Sequence, residues 1–176
     1  MNKKDWSVPK LIEIASKYNS VLDIGCGSGN LIRRVDAKIR MGVDAYDGFK
    51  KDWDNKTAKS KGLRFLCQNI GTIYDETSRW RGKFECVYGL DIIEHLEKWE
   101  AVKFLGVADL IAIKCLMWFI PVGNHPQEAT ENLYMKHKSE WYPEDMEKLG
   151  YNVDYYPNWH NQEGKDKGAM WCWKEK

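Results

Sequence analysis

The sequence has no excess of charge of either sign. Its 27 lysines and arginines face 26 aspartates and glutamates, a formal net charge of +1. That balance gives no overall electrostatic footprint for nucleic acid. Long apolar runs are also missing. The longest, Leu110 to Ile120, is interrupted by Lys114 and falls short of the ~18 residues that a membrane span needs. The opening MNKKDWSVPK carries no apolar stretch of the kind found in a secretory signal. Cysteines are few and scattered: Cys26, Cys67, Cys86, Cys115 and Cys172 form no C-x-x-C pair, and no histidine stands near one at zinc-like spacing. They read as reduced thiols. These absences lead us to expect a soluble, cytoplasmic protein with no membrane partner and no metal site.

What is present is the pattern of an α/β sheet, in which apolar runs alternate with helix-like stretches. Ser20–Ile24, Met41–Asp44, Leu63–Cys67 and Phe84–Leu90 read as buried strands, and a fifth lies within Leu110–Ile120, ended by Pro121. Leu11, Ile12, Ile14, Ala15 and Tyr18 suggest an opening helix, and Leu31, Ile32 and Val35 give a second helical face. Ile93, Leu96, Trp99, Val102 and Leu105 are spaced by three and four, which predicts a helix over Ile92 to Gly106. The lysine-rich stretch from Asp52 to Lys61 reads as a solvated helix or loop. Tyr142 to Gly150 has proline near its first turn and glycine past its end, which predicts a short helix. Two strands, Tyr151–Tyr156 and Ala169–Trp173, then flank a polar turn at Asn161–Gly168.

A chain of this length fits one domain with one core. We divide it into an opening helix (1–19), a core of five strands (20–120), an irregular segment (121–142) and a final helix with a β-hairpin (143–176). An irregular stretch as long as Val122 to Ser139 is usually functional or mobile.

The densest motif is Asp23-Ile24-Gly25-Cys26-Gly27-Ser28-Gly29, at the end of the first strand. Glycines there let a ligand approach the main chain closely. A dinucleotide fingerprint requires Gly-x-Gly-x-x-Gly. Its third glycine is missing in both frames, where Asn30 and Ile32 stand. No Lys-Ser or Lys-Thr follows, so the loop is no P-loop either. Asp23 would repel a pyrophosphate but would suit a cationic amino group. Asp44 ends the second strand 21 positions later, where a carboxylate can accept the hydroxyls of a ribose.

Val21 to Gly29 resembles the first motif of class I S-adenosylmethionine-dependent methyltransferases, and Gly42-Val43-Asp44 resembles their second. Phe65 to Ile70 is similar to the third, with Asn69 where an aspartate usually meets the adenine amine. Leu90-Asp91-Ile92-Ile93-Glu94-His95-Leu96 resembles the D-x-x-E-H-L stretch after the fourth strand. His137 to Pro143 with Leu149-Gly150-Tyr151 is similar to the late H-x-x-x-W-x-P and L-G-F/Y pattern. The motifs occur in the family's order and span roughly Ser20 to Trp173.

The resemblance implies a Rossmann-like seven-stranded sheet of order 3-2-1-4-5-7-6, with strand 7 antiparallel. It also implies S-adenosyl-L-methionine as cofactor and S-adenosyl-L-homocysteine as product. The implied cofactor residues are Asp23, Gly25, Cys26, Gly27 and Gly29 on the methionine side and Asp44 with Ala45 by the ribose. Asn69 and Ile70 would lie by the adenine, and Leu90 near the methionine amine. Asp91 and His95 would flank the acceptor. For His95 two roles stay open, a general base or a packing residue at the start of a helix. Asn69 is either an adenine contact or a turn residue. His137 and Trp141 either line the acceptor pocket or pin the irregular segment. The expected acceptor is a small molecule or sugar, methylated on oxygen or nitrogen by a monomer or homodimer. There is no Asp/Asn-Pro-Pro-aromatic motif and no Pro-Cys dipeptide, which disfavours nucleic acid as the acceptor. The alternatives are an NAD(P)-dependent oxidoreductase of Rossmann type and a non-catalytic S-adenosylmethionine-binding protein.

Overall fold

The computed structural model describes residues 7–57, 62–69, 80–128, 132–157, 159 and 168–176. The first helix, α1 (Val8–Ala15), is capped by the Ser7 hydroxyl, which accepts the Lys10 N–H at 3.3 Å. It buries Leu11, Ile14 and Ala15. Strands β1 (Ser20–Ile24), β2 (Ile39–Asp44), β3 (Leu63–Cys67) and β4 (Phe84–Leu90) follow. Helix α2 (Lys50–Thr57) lies between β2 and β3. After β4 come a 3₁₀ turn at Ile93–His95, helix α3 (Lys98–Ile111) and β5 (Ala112–Pro121). Helix α4 (Pro143–Lys148) then precedes the antiparallel pair β6 (Asn152–Tyr156) and β7 (Ala169–Glu175).

The seven strands form one sheet in the order β3-β2-β1-β4-β5-β7-β6. β1 to β5 pair in parallel, and β7 runs antiparallel to β5 and β6. This is the expected topology. Strands covered on both faces read as continuous apolar runs, which is why β1 and β4 were easy to find. Leu22, Ile24, Val87, Leu116 and Trp118 join Phe104 and Ala108 of α3 in one core layer. Val21, Cys86, Tyr88 and Met117 join Leu11 and Ile14 of α1 in the other. Trp171 closes the second layer against Phe119, ring centroids 4.9 Å apart. All five cysteines are free thiols. Among the described residues no helix is long and apolar enough to cross a membrane.

Three local expectations are corrected. The helix expected over Ile92–Gly106 begins instead at Lys98, because Leu96 turns extended and a capping box between Glu97 and Glu100 starts the helix anew. Its buried face is Ala101, Phe104, Leu105, Ala108 and Ile111, while Trp99 and Val102 are exposed. The helical face of Leu31, Ile32 and Val35 is only a 3₁₀ turn, Ile32–Arg34, after which Val35 is already extended. The lysine-rich stretch is not wholly solvated: its Trp53 is buried. Residues 58–61 of that stretch, and 161–167 of the expected hairpin turn, lie outside the described residues.

Candidate functional site

The chain leaves β1 through Gly25, Gly27 and Gly29, all with left-handed backbone (φ 72°, 51° and 72°). They serve different ends. A Cβ on Gly29 would fall 2.2 Å from the Trp53 ring, and one on Gly25 would fall 1.7 Å from Cδ1 of Ile92. Gly29 is demanded by packing against the ring, while at Gly25 the neighbour is the tip of a flexible side chain and the left-handed backbone is the firmer constraint. A Cβ on Gly27 would meet nothing closer than the Phe49 ring at 3.8 Å. Gly27 lines the cavity described below, so its missing side chain leaves room there.

Four of the loop's backbone donors are already engaged. The Gly25 and Cys26 N–H groups both donate to Val43 O, at 2.8 and 3.1 Å. The Gly29 N–H donates to Cys26 O at 2.8 Å. The Gly27 N–H donates to Oδ2 of Asp44 at 2.8 Å, and the Tyr46 N–H to its Oδ1 at 2.9 Å. The carboxylate of Asp44 thus stands where a phosphate would dock. No α-helix follows the loop to aim its dipole at an anion. Trp53 braces the loop from beneath: its Nε1–H donates to Gly27 O at 2.8 Å, and its ring stacks on Phe65 at 4.8 Å. The Arg33 guanidinium lies 4.6 Å from the same ring and donates to Ser28 O.

A cavity of about 670 Å³ opens across the carboxyl ends of the strands. Gly25, Gly27, Asp44, Ala45, Phe49 and Asn69 line one half. Leu90, Asp91 and Ile92 form the middle. Glu94, His95, Pro121, His125, Tyr134 and His137 are among those lining the other half. Of the expected cofactor residues, Gly25, Gly27, Asp44, Ala45, Asn69 and Leu90 therefore come together on one wall. Asp23, Cys26 and Gly29 are buried and are not part of that wall. Ile70 lies outside the described residues. Both expected catalytic residues, Asp91 and His95, line the cavity.

Asp23 is 3% exposed and accepts the Tyr88 hydroxyl at 3.1 Å. Burial pushes its carboxyl well above the usual range, and the nearby Asp44 adds to the shift. Asp91 is the one non-glycine with positive φ (52°) among the described residues. Its backbone N–H donates to Phe119 O at 3.0 Å. Its side chain is exposed where it lines the cavity, and the protein packed around its base desolvates the carboxyl and raises it from its ordinary value. A strained backbone at a cavity floor is a common mark of function. Desolvation, with the neighbouring His137, lowers the His95 imidazole.

The irregular segment is laced onto the 3₁₀ turn after β4. The N–H groups of Lys138 and Ser139 donate to Glu94 O at 2.8 and 3.1 Å, and the Ser139 hydroxyl donates to Ile93 O at 3.3 Å. Trp141, fully buried, donates to the Ser139 hydroxyl at 2.9 Å, and Lys98 Nζ sits 3.8 Å from its ring. The two roles left open for this pair are therefore divided: Trp141 pins the segment and His137 lines the cavity. Phe49 and Ile92 were not expected to line the cavity, whereas His125 and Tyr134 belong to the irregular segment expected beside the acceptor. For Phe49 a signal existed, an aromatic just past the end of β2.

No protein-family model matches the chain, and no curated protein matches it in sequence. Solved structures do match its fold. An S-adenosylmethionine-dependent methyltransferase from Clostridium acetobutylicum superposes with a TM-score of 0.66 at 16% identity, over 98% of this chain and 92% of that one. The 1,6-didemethyltoxoflavin-N1-methyltransferase of Burkholderia thailandensis, solved with its acceptor and S-adenosylhomocysteine, gives 0.65 at 15% identity, over 96% and 77%. Magnesium protoporphyrin IX methyltransferase from Synechocystis, with bound S-adenosylmethionine, gives 0.60 at 16%, over 95% and 77%. The chain has the fold of class I S-adenosylmethionine-dependent methyltransferases.

Proposed function

We propose that the chain binds S-adenosylmethionine in the half of the cavity lined by Gly25, Gly27, Asp44, Ala45 and Asn69, and that it methylates an oxygen or nitrogen of a small acceptor. The observation that carries this reading is the Asp44 carboxylate held against the Gly27 N–H at the cavity wall. It gives the loop an anion of its own. The site therefore suits a nucleoside with no phosphate and with positive charge nearby, and it opposes the pyrophosphate of a nicotinamide cofactor. The fit extends along the wall. Gly27 leaves space for close approach, Asp44 keeps acceptor capacity for ribose hydroxyls beyond its two backbone donors, and Asn69 presents an amide at the far end.

The sulfonium of the bound cofactor supplies an activated methyl group. The protein's part is to hold and orient the acceptor beside it, which alone accounts for much of the rate in such displacements. Asp91 stands at the middle of the cavity and His95 in the acceptor half. The cavity volume falls in the range of small-molecule sites, and the exposed Tyr134 and Met135, which line it, add apolar surface at its rim.

Isothermal calorimetry with S-adenosylmethionine and S-adenosylhomocysteine tests the reading. Saturable heat at one site per chain is expected with both, and none with NADH. Absence of heat with either sulfur nucleoside, on folded protein, would refute it. The glycines provide a sharper pair. Gly27→Ala adds a Cβ where ligand is expected, so affinity for S-adenosylhomocysteine should fall at least ~10-fold while stability drops by about 1–2 kcal/mol, the cost of the left-handed backbone. Gly29→Ala should do the reverse. Its Cβ strikes Trp53, so overpacking and backbone together should cost about 2–4 kcal/mol, with affinity unchanged wherever the protein stays folded. Equal effects of the two substitutions on affinity would argue against the assignment of Gly27.

A further inference from the structure

We infer that Glu94, His95 and His137 form a binding site for a divalent transition-metal ion in the acceptor half of the cavity. One ligand atom from each of the three lies within 4.8 Å of the other two. The rings of His95 and His137 meet edge-on with centroids 4.7 Å apart. Two imidazoles and one carboxylate on one side of a cavity are a donor set that suits zinc, iron, cobalt or manganese and leaves coordination positions open.

Glu94 points most directly to a missing ligand. It is 2% exposed, and neither carboxylate oxygen has a hydrogen-bond partner among the described residues. Buried carboxylates are almost always paired or bound to metal. Among the described residues no lysine or arginine forms an ion pair with Glu94, and the group that faces it, Asp91, is another acid.

The rest of the arrangement is built. Glu94 and His95 share the 3₁₀ turn Ile93–His95. His137 is far away in sequence and is brought alongside by the backbone bonds from Lys138 and Ser139 to Glu94 O. Its own N–H donates to Gln127 O at 3.1 Å, and Gln127 Nε2 donates to Met135 O at 2.9 Å. His95 Nδ1 lies 3.3 Å from Lys136 O. A ring that donates Nδ1–H to this carbonyl keeps its lone pair on Nε2, the second-sphere pattern of metal-bound histidine. All three side chains line the cavity, so the ion's open positions face the space assigned to the acceptor. This last point rests on the cofactor reading above, and it favours an acceptor with an oxygen or nitrogen donor next to the atom to be methylated. It also makes His95 a ligand rather than a free base.

The test uses the full chain, stripped with chelator and dialysed, then titrated with cobalt(II) chloride alone while visible absorbance is followed. Ligand-field bands should saturate at one ion per chain and should disappear when zinc is added. His137→Ala and Glu94→Gln should each weaken cobalt binding at least ~10-fold. His137→Ala, which removes a half-buried side chain, should keep the thermal midpoint of the metal-free protein. S-adenosylhomocysteine affinity is measured separately with EDTA present and should be unchanged in His137→Ala. Absence of cobalt bands in the parent protein, or bands of equal affinity in both variants, would overturn the metal site. Bands without nucleoside binding would support the metal site and count against the cofactor. Nucleoside binding without bands would do the opposite.

Discussion

Trp53→Ala should cost the protein about 3–5 kcal/mol of stability, the range for removing a buried large aromatic, and should lower the thermal midpoint by roughly 10 °C or more for a chain of this size. The side chain is 1% exposed and makes several contacts that support the loop. Its ring stacks on Phe65 of β3 and lies under the Arg33 guanidinium. Its edge fills the space left by Gly29 and Gly42, and its indole N–H holds Gly27 O. Removing it should therefore loosen the loop as well as the core. Trp53→Phe separates the two contributions. It keeps an aromatic on Phe65 but loses the hydrogen bond, so it should cost only about 1–2 kcal/mol. Urea unfolding of the three proteins measures both steps. Equal stability of Trp53→Ala and the parent would mean that the loop does not rest on this residue.

The second large effect concerns Asp44. Its carboxylate accepts two backbone N–H groups and lines the cavity. A hydrogen bond to a charged group contributes about 1.5–3 kcal/mol. Asp44→Ala removes the two that order the loop and any made to a ribose, so affinity for S-adenosylhomocysteine should fall by a factor on the order of 100 or more. Asp44→Asn retains one oxygen and should lose less, on the order of 10-fold. Calorimetry of the parent and both variants gives the ranking directly. An Asp44→Ala variant that binds as well as the parent would remove Asp44 from the ligand wall.

Much of the fold was legible because the sheet is covered on both faces. Ser20–Ile24 and Phe84–Leu90 announce themselves as short apolar runs ended by turns. The strand order came from the resemblance and not from periodicity. Elements that depend on a single side chain were harder to read. Lysines around Trp53 outvoted one buried aromatic in a stretch that is otherwise polar. The spacing of Trp99 and Val102 matched a helical face, yet a capping box starting at Glu97, inside the expected helix, left that face exposed to solvent. Leu31, Ile32 and Val35 have helical spacing, but the chain turns extended at Val35 before a second turn can form.

The site divides in the same way. Gly27, Asp44 and Asn69 sit at strand ends, where sequence position fixes cavity position, and they came together. Asp23 looked like a ligand contact because a carboxylate beside a glycine loop invites one. The alternation of β1 instead turns it into the core against Tyr88. Glu94 stood in the D-x-x-E-H-L stretch, but its burial was not legible: a glutamate in a helix-like stretch reads as solvated, and only the tight turn at Ile93–His95 buries it. Its neighbour His137 comes from a segment with no periodicity, placed by hydrogen bonds to a carbonyl and not by any pattern of side chains.

A crystal structure of the protein soaked with S-adenosylhomocysteine is the most direct measurement of the central claim. Density is expected for one nucleoside in the cavity, with ribose hydroxyls on the Asp44 carboxylate, the base beside Ala45 and Asn69, and the sulfur turned toward Asp91 and His95. Density in any other place, or a clear cavity in crystals soaked with saturating nucleoside, would contradict it.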